Sequence, residues 1–435
     1  MAKRELSLCV IGIAFLCASR TDCQFISSDS YTCYELLSPD THQFKIYYEV
    51  TETRARAKFH FNPIREGSEA SDESVIDAAS GKQLEFEVVT GAQAKEDSPS
   101  ENFSPSGKYI KVHLAHPVPQ RGEYRLIIIK TYKDDKSYYT EGGAIVYKRS
   151  LGIPRNSVVL PPGYEVESCS VASQLFTEPD GRLKLAFVNA GSGGQLEVTI
   201  RAKRLPPPKP ITQSPEVAAP GSPRIVTEST ASNASTSPLP TTNSPPSMIE
   251  RAYQDREILY ELQAPESHAF RITHDYTARK PGERYYFNVV RAGSHVSDPE
   301  SLDLDTGENL KLETITGRQA KERKLPLTEE VKDDAELVVT ALARPLATGT
   351  TNRIRLKETY VDAKSYYQDG DELVWDRTFG RLRNTVVLPQ GWYLTALATP
   401  AVVQRLADGR VSVYIVNPRN DDVRVYLRAR KSAGG

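Results

Sequence analysis

The 435-residue chain has little methionine, tryptophan or cysteine (two, two and five residues), and after its N-terminus no apolar run long enough for a helix to cross a bilayer. That absence excludes a polytopic helical membrane protein. Nor is there an excess of either charge: 55 Lys and Arg stand against 56 Asp and Glu, a net charge of −1. Without clustered Lys and Arg there is no basic arm for phosphate, so nucleic acid is not an expected partner. The five cysteines and seven histidines contain no CxxC or HExxH spacing, and His113 and His116 lie three apart without a further ligand. No metal site and no cofactor are expected. Ala190-Gly191-Ser192-Gly193-Gly194 has its glycines in the wrong places for a nucleophile turn and reads as a hairpin loop. The chain is therefore read as non-catalytic. Carboxylates paired in space rather than along the chain leave a hydrolase open as an alternative.

What is present begins with a short export signal. Lys3 and Arg4 precede an apolar or small-residue run from Leu6 to Ala18, and Cys17-Ala18-Ser19 offers small residues for cleavage after Ser19. Residues 1–19 are read as a signal peptide and the chain as secreted or periplasmic. Lipid attachment at Cys23 is the rival reading. Residues 20–31 read as an N-terminal tail.

The strongest signal is internal repetition. Thr90-Gly91-Ala92-Gln93-Ala94-Lys95-Glu96 returns as Thr316-Gly317-Arg318-Gln319-Ala320-Lys321-Glu322, an offset of 226 shared by Tyr34-Glu35-Leu36 and Tyr260-Glu261-Leu262. Further on the offset is 228. Thr131-Tyr132 through Tyr138-Tyr139 matches Thr359-Tyr360 through Tyr366-Tyr367, and Asn156 to Tyr164 matches Asn384 to Trp392. A unit of about 170 residues, a usual domain size, is thus written twice, as residues 32–204 and 257–431, with 432–435 a tail. Between the copies, residues 205–256 read as a linker, because eleven prolines fall from Pro206 to Pro246 among Ser, Thr and Ala. Such a composition cannot bury enough surface to offset its ordering entropy. The expected picture is two independent beads on a spacer. Asn102-Phe103-Ser104 and Asn233-Ala234-Ser235 are glycosylation sequons.

Each unit reads as strand. In Tyr109-Ile110-Lys111-Val112-His113-Leu114 the residues Ile110, Val112 and Leu114 share one face, and Val411 to Val416 and Val423 to Leu427 behave alike. No helical stripe exceeds two turns. The fold class expected is all-β: two homologous antiparallel β-sandwich domains joined by a disordered Pro/Ser/Thr-rich linker. Cys33 aligns with Leu259 and Cys169 with Leu397. A joint cysteine-for-leucine exchange is what a core contact pair would show, so a Cys33–Cys169 disulfide is expected, with free thiols as the alternative.

Among the polar motifs, Asp134, Lys136, Tyr138 and Tyr139, with their counterparts Asp362, Lys364, Tyr366 and Tyr367, form the richest polar-aromatic cluster. Paired tyrosines beside Asp and Lys can stack on a sugar or clamp a peptide. They can equally close a sandwich end, with the Asp capping a turn. Leu-Pro-x-Gly-[Tyr/Trp] reads as a structural corner. Asp303 to Glu308 reads as a solvated hairpin rather than a calcium loop, since no bidentate Glu follows.

The run Thr359 to Tyr367, then Trp375-Asp376-Arg377, then Asn384 to Trp392, resembles exported bacterial proteins of Acidobacteria type. Their units are in turn similar to the N-terminal β-sandwich domain of family M1 aminopeptidases. The resemblance implies a fold and a docking role. It does not carry the peptidase activity, because the HExxH helix and the Gly-x-Met-Glu-Asn loop are missing; the only methionines are Met1 and Met248. Together these readings point to an exported interaction protein that binds a protein or cell-surface glycan through duplicated units. A self-assembling surface subunit, pairing through strand edges, is the second expectation.

Overall fold

The computed structural model describes residues 29–190, 194–205, 248–327 and 330–432. The expected signal peptide, Cys23, most of the linker, the Asn233 sequon and Gly191 and Gly193 of the 190–194 loop lie outside them.

Each repeat is built on a seven-stranded sheet. In repeat one the order is Gln174–Thr177, Leu183–Val188, Arg155–Val159, Ser30–Leu36, Gln43–Glu52, Tyr124–Lys133, Glu69–Asp77. Repeat two reproduces it as Val402–Arg405, Val411–Val416, Arg383–Val387, Glu257–Leu262, Ala269–Ala278, Asn352–Val361, His295–Asp303. In both, the first strand pairs parallel with the strand beginning at Arg155 or Arg383, and every other neighbour is antiparallel. The chain is all-β in two similar domains, as the alternation predicts.

One long inner face of the large sheet is covered by two smaller sheets. In repeat one, Phe44, Ile46 and Tyr132 pack against the four-stranded sheet through Tyr147, Val198 and Ile200. Further along the same strands, Val50, Leu126 and Ile128 pack against the three-stranded sheet through Ile110 and Val112. Period-two alternation makes both faces from one row of side chains. Repeat two builds the same core around Trp375, Phe270 and Phe379.

The repeated Thr-Gly-x-Gln-Ala-Lys-Glu motif forms the helix of each repeat, Gly91–Asp97 and Gly317–Glu322. Thr90 and Gln93, like Thr316 and Gln319, close a capping box, each side chain bonding the other's backbone N–H. Gly91 and Gly317 lie against the carbonyl oxygens of Ser104 and Lys332, where a Cβ would not fit. Gly163 and Gly391 turn the Leu-Pro-x-Gly corners with φ of 76° and 80°, a region that favours glycine.

Four expectations need correction. First, Cys33 and Cys169 are free. Tyr34 and Leu36 point into the sandwich, so Cys33 points to the other side, against Tyr31, Val159 and Ala186, whereas Cys169 packs on the sandwich core. The paired exchange with Leu259 and Leu397 was therefore two separate positions. Second, the N-terminal tail ends earlier: Ser30 opens the first strand and Asp29 is buried. Third, the linker's last residues are ordered. Ala252 caps the outer apolar patch beside Cys33, and Tyr253 packs edge-on against Tyr31 at 5.0 Å. Fourth, the repeats are not separate beads. They meet through the outer faces of their large sheets, and Asp303, Leu304 and Asp305 of the Asp303–Glu308 hairpin are buried there rather than solvated, with Leu304 fully enclosed, while Thr306 and Glu308 remain exposed.

Candidate functional site

The Asp-x-Lys-Ser-Tyr-Tyr turns are built around a buried aspartate. Asp134 accepts the backbone N–H groups of Lys136 (3.2 Å) and Ser137 (3.0 Å), the Ser137 hydroxyl (2.7 Å) and the Arg149 guanidinium (3.1 Å). Asp362 repeats this with Lys364 (3.1 Å), Ser365 (3.1 Å and 2.7 Å) and Arg377 (2.9 Å). Burial alone would raise both carboxyls, but the serine hydrogen bonds and the arginine charge outweigh it and hold them below the usual range. Each arginine lies over the rings of three core aromatics: Tyr34, Phe44 and Tyr132, or Tyr260, Phe270 and Tyr360. Tyr138 and Tyr366 are fully buried, their hydroxyls donating to the carbonyls of Leu37 (2.8 Å) and Gln263 (2.5 Å). These four residues are anchors and cannot touch a ligand. Lys136 and Lys364 are exposed, and Tyr139 and Tyr367 half-buried, so each turn presents one lysine and one aromatic on a fixed frame.

The contact between the repeats is polar and was not visible in the sequence. Arg125 donates twice to Asp305, both at 2.9 Å, with both side chains almost wholly buried. Arg353 reaches Asp255 at 2.9 Å and Asp29 at 3.4 Å, and Arg383 reaches Asp29 at 2.9 Å. Arg155 completes the group, bonding Asp29 (3.1 Å) and the carbonyls of Ala252 (3.1 Å) and Tyr253 (3.0 Å). Burial alone would raise the carboxyl of Asp29; the three arginines outweigh it and hold it far below the usual range. Arg251 donates to the carbonyls of Asn417 and Gly380, while its own N–H donates to Gln174, so the ordered end of the linker stitches the repeats together. Asp29, Glu49, Arg125 and Arg353 line a cavity of about 40 Å³. That space holds a few waters, not a sugar or peptide.

A third polar place lies where the two small sheets meet over the large one. In repeat one, Lys130 donates to Asn62; in repeat two, Glu358 accepts from Asn288 at 2.7 Å. Burial pushes Lys130 down to about 7, helped by the Arg149 charge, and pushes Glu358 up to about 7 against the Asn288 bond. In repeat two, near Glu358, His274, driven down to about 3 by burial, meets the Tyr286 hydroxyl at 2.9 Å. Among the described residues no three His, Cys, Asp or Glu converge as a metal site, and no helix is long and apolar enough to cross a membrane.

No family model and no curated protein sequence matches the chain. Among solved structures it is similar to a two-domain M1 zinc metallopeptidase bound to tryptophan, at 12% identity and a TM-score of 0.28, over 41% of this chain and 43% of that one. It is also similar to the M1 zinc metallopeptidase of Deinococcus radiodurans, at 11% identity and a TM-score of 0.27, over 41% of this chain and 42% of that one. An aminopeptidase N family protein from Idiomarina loihiensis aligns at 9% identity and a TM-score of 0.25, over 40% and 29%. The chain spans less than half the length of these structures.

Proposed function

We propose that this is an exported, non-catalytic interaction protein whose two β-sandwich units bind a protein or cell-surface glycan. The observation that supports it is the pair of equivalent turns. Each holds a lysine and a tyrosine outward on a frame fixed by a buried Asp–Arg pair (Asp134–Arg149, Asp362–Arg377). An aromatic face beside a cation, carried on a turn whose backbone is already fixed, suits recognition of a flat or anionic surface. Two such turns on one body raise the effective concentration of the second contact. The sequence pattern of residues 1–19 supports export.

The test is a pull-down from envelope and secreted extract with the whole chain as bait. Tyr139→Ala with Tyr367→Ala should release the specific partner while the fold stays intact. Retention of every partner by that double variant overturns the reading. A second reading, a self-assembling surface subunit, draws on the edge strands Gln174–Thr177 and Val402–Arg405, where Leu175 and Val403 stand exposed. Growing oligomers indifferent to the tyrosines would favour it.

A further inference from the structure

The two repeats meet through equivalent surfaces. Glu123 donates its backbone N–H to the Leu304 carbonyl at 2.8 Å, and Thr351, at the position matching Glu123, donates its hydroxyl to the Ala78 carbonyl, the match of Leu304, at 2.7 Å. A Cβ on Gly81 would collide with the Gly349 carbonyl at 2.6 Å; one on the matching Gly307 would meet Pro119, 2.9 Å away and beside Arg121, the match of Gly349. Such reciprocity, residue to residue, is the mark of an isologous pair, the arrangement of a two-fold homodimer.

The charged pairs break this symmetry. Arg125 faces Asp305, but the reciprocal partner of Arg353 is Ala79, which has no carboxylate. Arg353 therefore turns to Asp255 and Asp29 instead. Glu49 reaches Arg279 at 3.3 Å, while its counterpart Asp275 is taken by Arg355, at a position where repeat one has Ile127. If two copies of repeat one met through this face, Arg125 would be buried opposite alanine and Glu49 opposite Thr53. A buried charge without its partner is strongly disfavoured. Repeat one opposite repeat two leaves neither orphaned.

We infer that the face between the repeats is a specific association surface: repeat one recognises repeat two, with its leading residues 248–256, without needing the covalent connection through residues 206–247, and rejects a second repeat one. The specificity comes from Arg125 and Glu49 on one side and Asp305 and Arg279 on the other, as attraction to the right partner and an unpaired buried charge against the wrong one. Its natural occupant is repeat two.

The test uses the whole chain with a protease site placed between residues 206 and 247. After cleavage at micromolar concentration the halves should stay together as one 1:1 species by size-exclusion chromatography and native mass spectrometry. Arg125→Asp alone should weaken that species at least about a hundredfold, and Arg125→Asp combined with Asp305→Arg should restore most of it. Halves that separate on cleavage of the unaltered chain overturn the inference. So does a charge-swapped pair no better than the single change, given that both variants show the same secondary structure by circular dichroism. Repeat one recovered as a dimer with itself would overturn the specificity.

Discussion

Lys130 and Glu358 hold the same place in the two repeats, each beneath the seam of the small sheets and each facing an equivalent asparagine, Asn62 or Asn288. A buried cation in one copy has become a buried acid in the other. The two sites therefore give stability opposite dependences on pH. At Lys130 the folded value is lowered to about 7 from 10.5, so between those limits the unfolded chain holds more protons and stability rises with pH. At Glu358 the folded value is raised to about 7 from 4.5, so its contribution is fully present below 4.5 and is lost as pH climbs to 7. Lys130→Met should flatten the alkaline rise, and Glu358→Gln the fall between pH 4.5 and 7, each removing up to about 1.4 kcal/mol per pH unit. Thermal unfolding of both variants across pH 4 to 10 checks this; unchanged slopes contradict it.

The two tyrosines of each turn should part company on substitution. Tyr138→Ala or Tyr366→Ala empties a fully buried ring site and orphans a carbonyl, at a cost of about 3–5 kcal/mol. Tyr139→Ala and Tyr367→Ala should cost under about 1 kcal/mol. Chemical denaturation midpoints distinguish the two classes, and equal losses would contradict the assignment of anchor and display residues.

The helix start offers a graded pair of changes. Thr90→Ala removes a capping box and should cost about 1 kcal/mol. Gly91→Ala should cost more, because the added methyl runs into the Ser104 carbonyl, a backbone atom that cannot move aside without shifting its loop. The same order holds for Thr316 and Gly317, and an inverted order in unfolding experiments contradicts it.

The cysteines should be independent of redox conditions. Reductant should leave the unfolding temperature unchanged, and a thiol reagent should label Cys169, half-buried, before Cys33, buried. A Cys33–Cys169 cross-linked peptide on non-reducing mapping would contradict the structure.

Much of this architecture was legible because it is local. Alternation at Ile110 and Val112 gave the strands, and the shared offsets gave the duplication. The Leu-Pro-x-Gly corners were readable because only glycine suits their positive φ. The interface was not legible, since Arg125 and Asp305 are 180 residues apart and each looks like the wet side of a strand or a polar hairpin. One signal was present. Tyr31 and Cys33 are apolar on the side of their strand opposite Tyr34 and Leu36, which says that both faces of that strand are covered. Leu304 within an Asp-rich hairpin says the same of that turn. The tyrosine turns were half legible. Their motif was found, but which tyrosine faces inward depends on the turn that Asp134 sets.

The account rests most heavily on the two repeats forming one body that holds its two turns in fixed relation. Spin labels at Lys136→Cys and Lys364→Cys, both exposed positions, with Cys23, Cys33 and Cys169 changed to serine, measure that relation by double electron–electron resonance. A single narrow distance distribution, broadened when Arg125→Asp places a like charge against buried Asp305, is the expected result. A broad distribution in the unaltered interface, spanning tens of ångströms as two domains on a flexible tether would give, contradicts it.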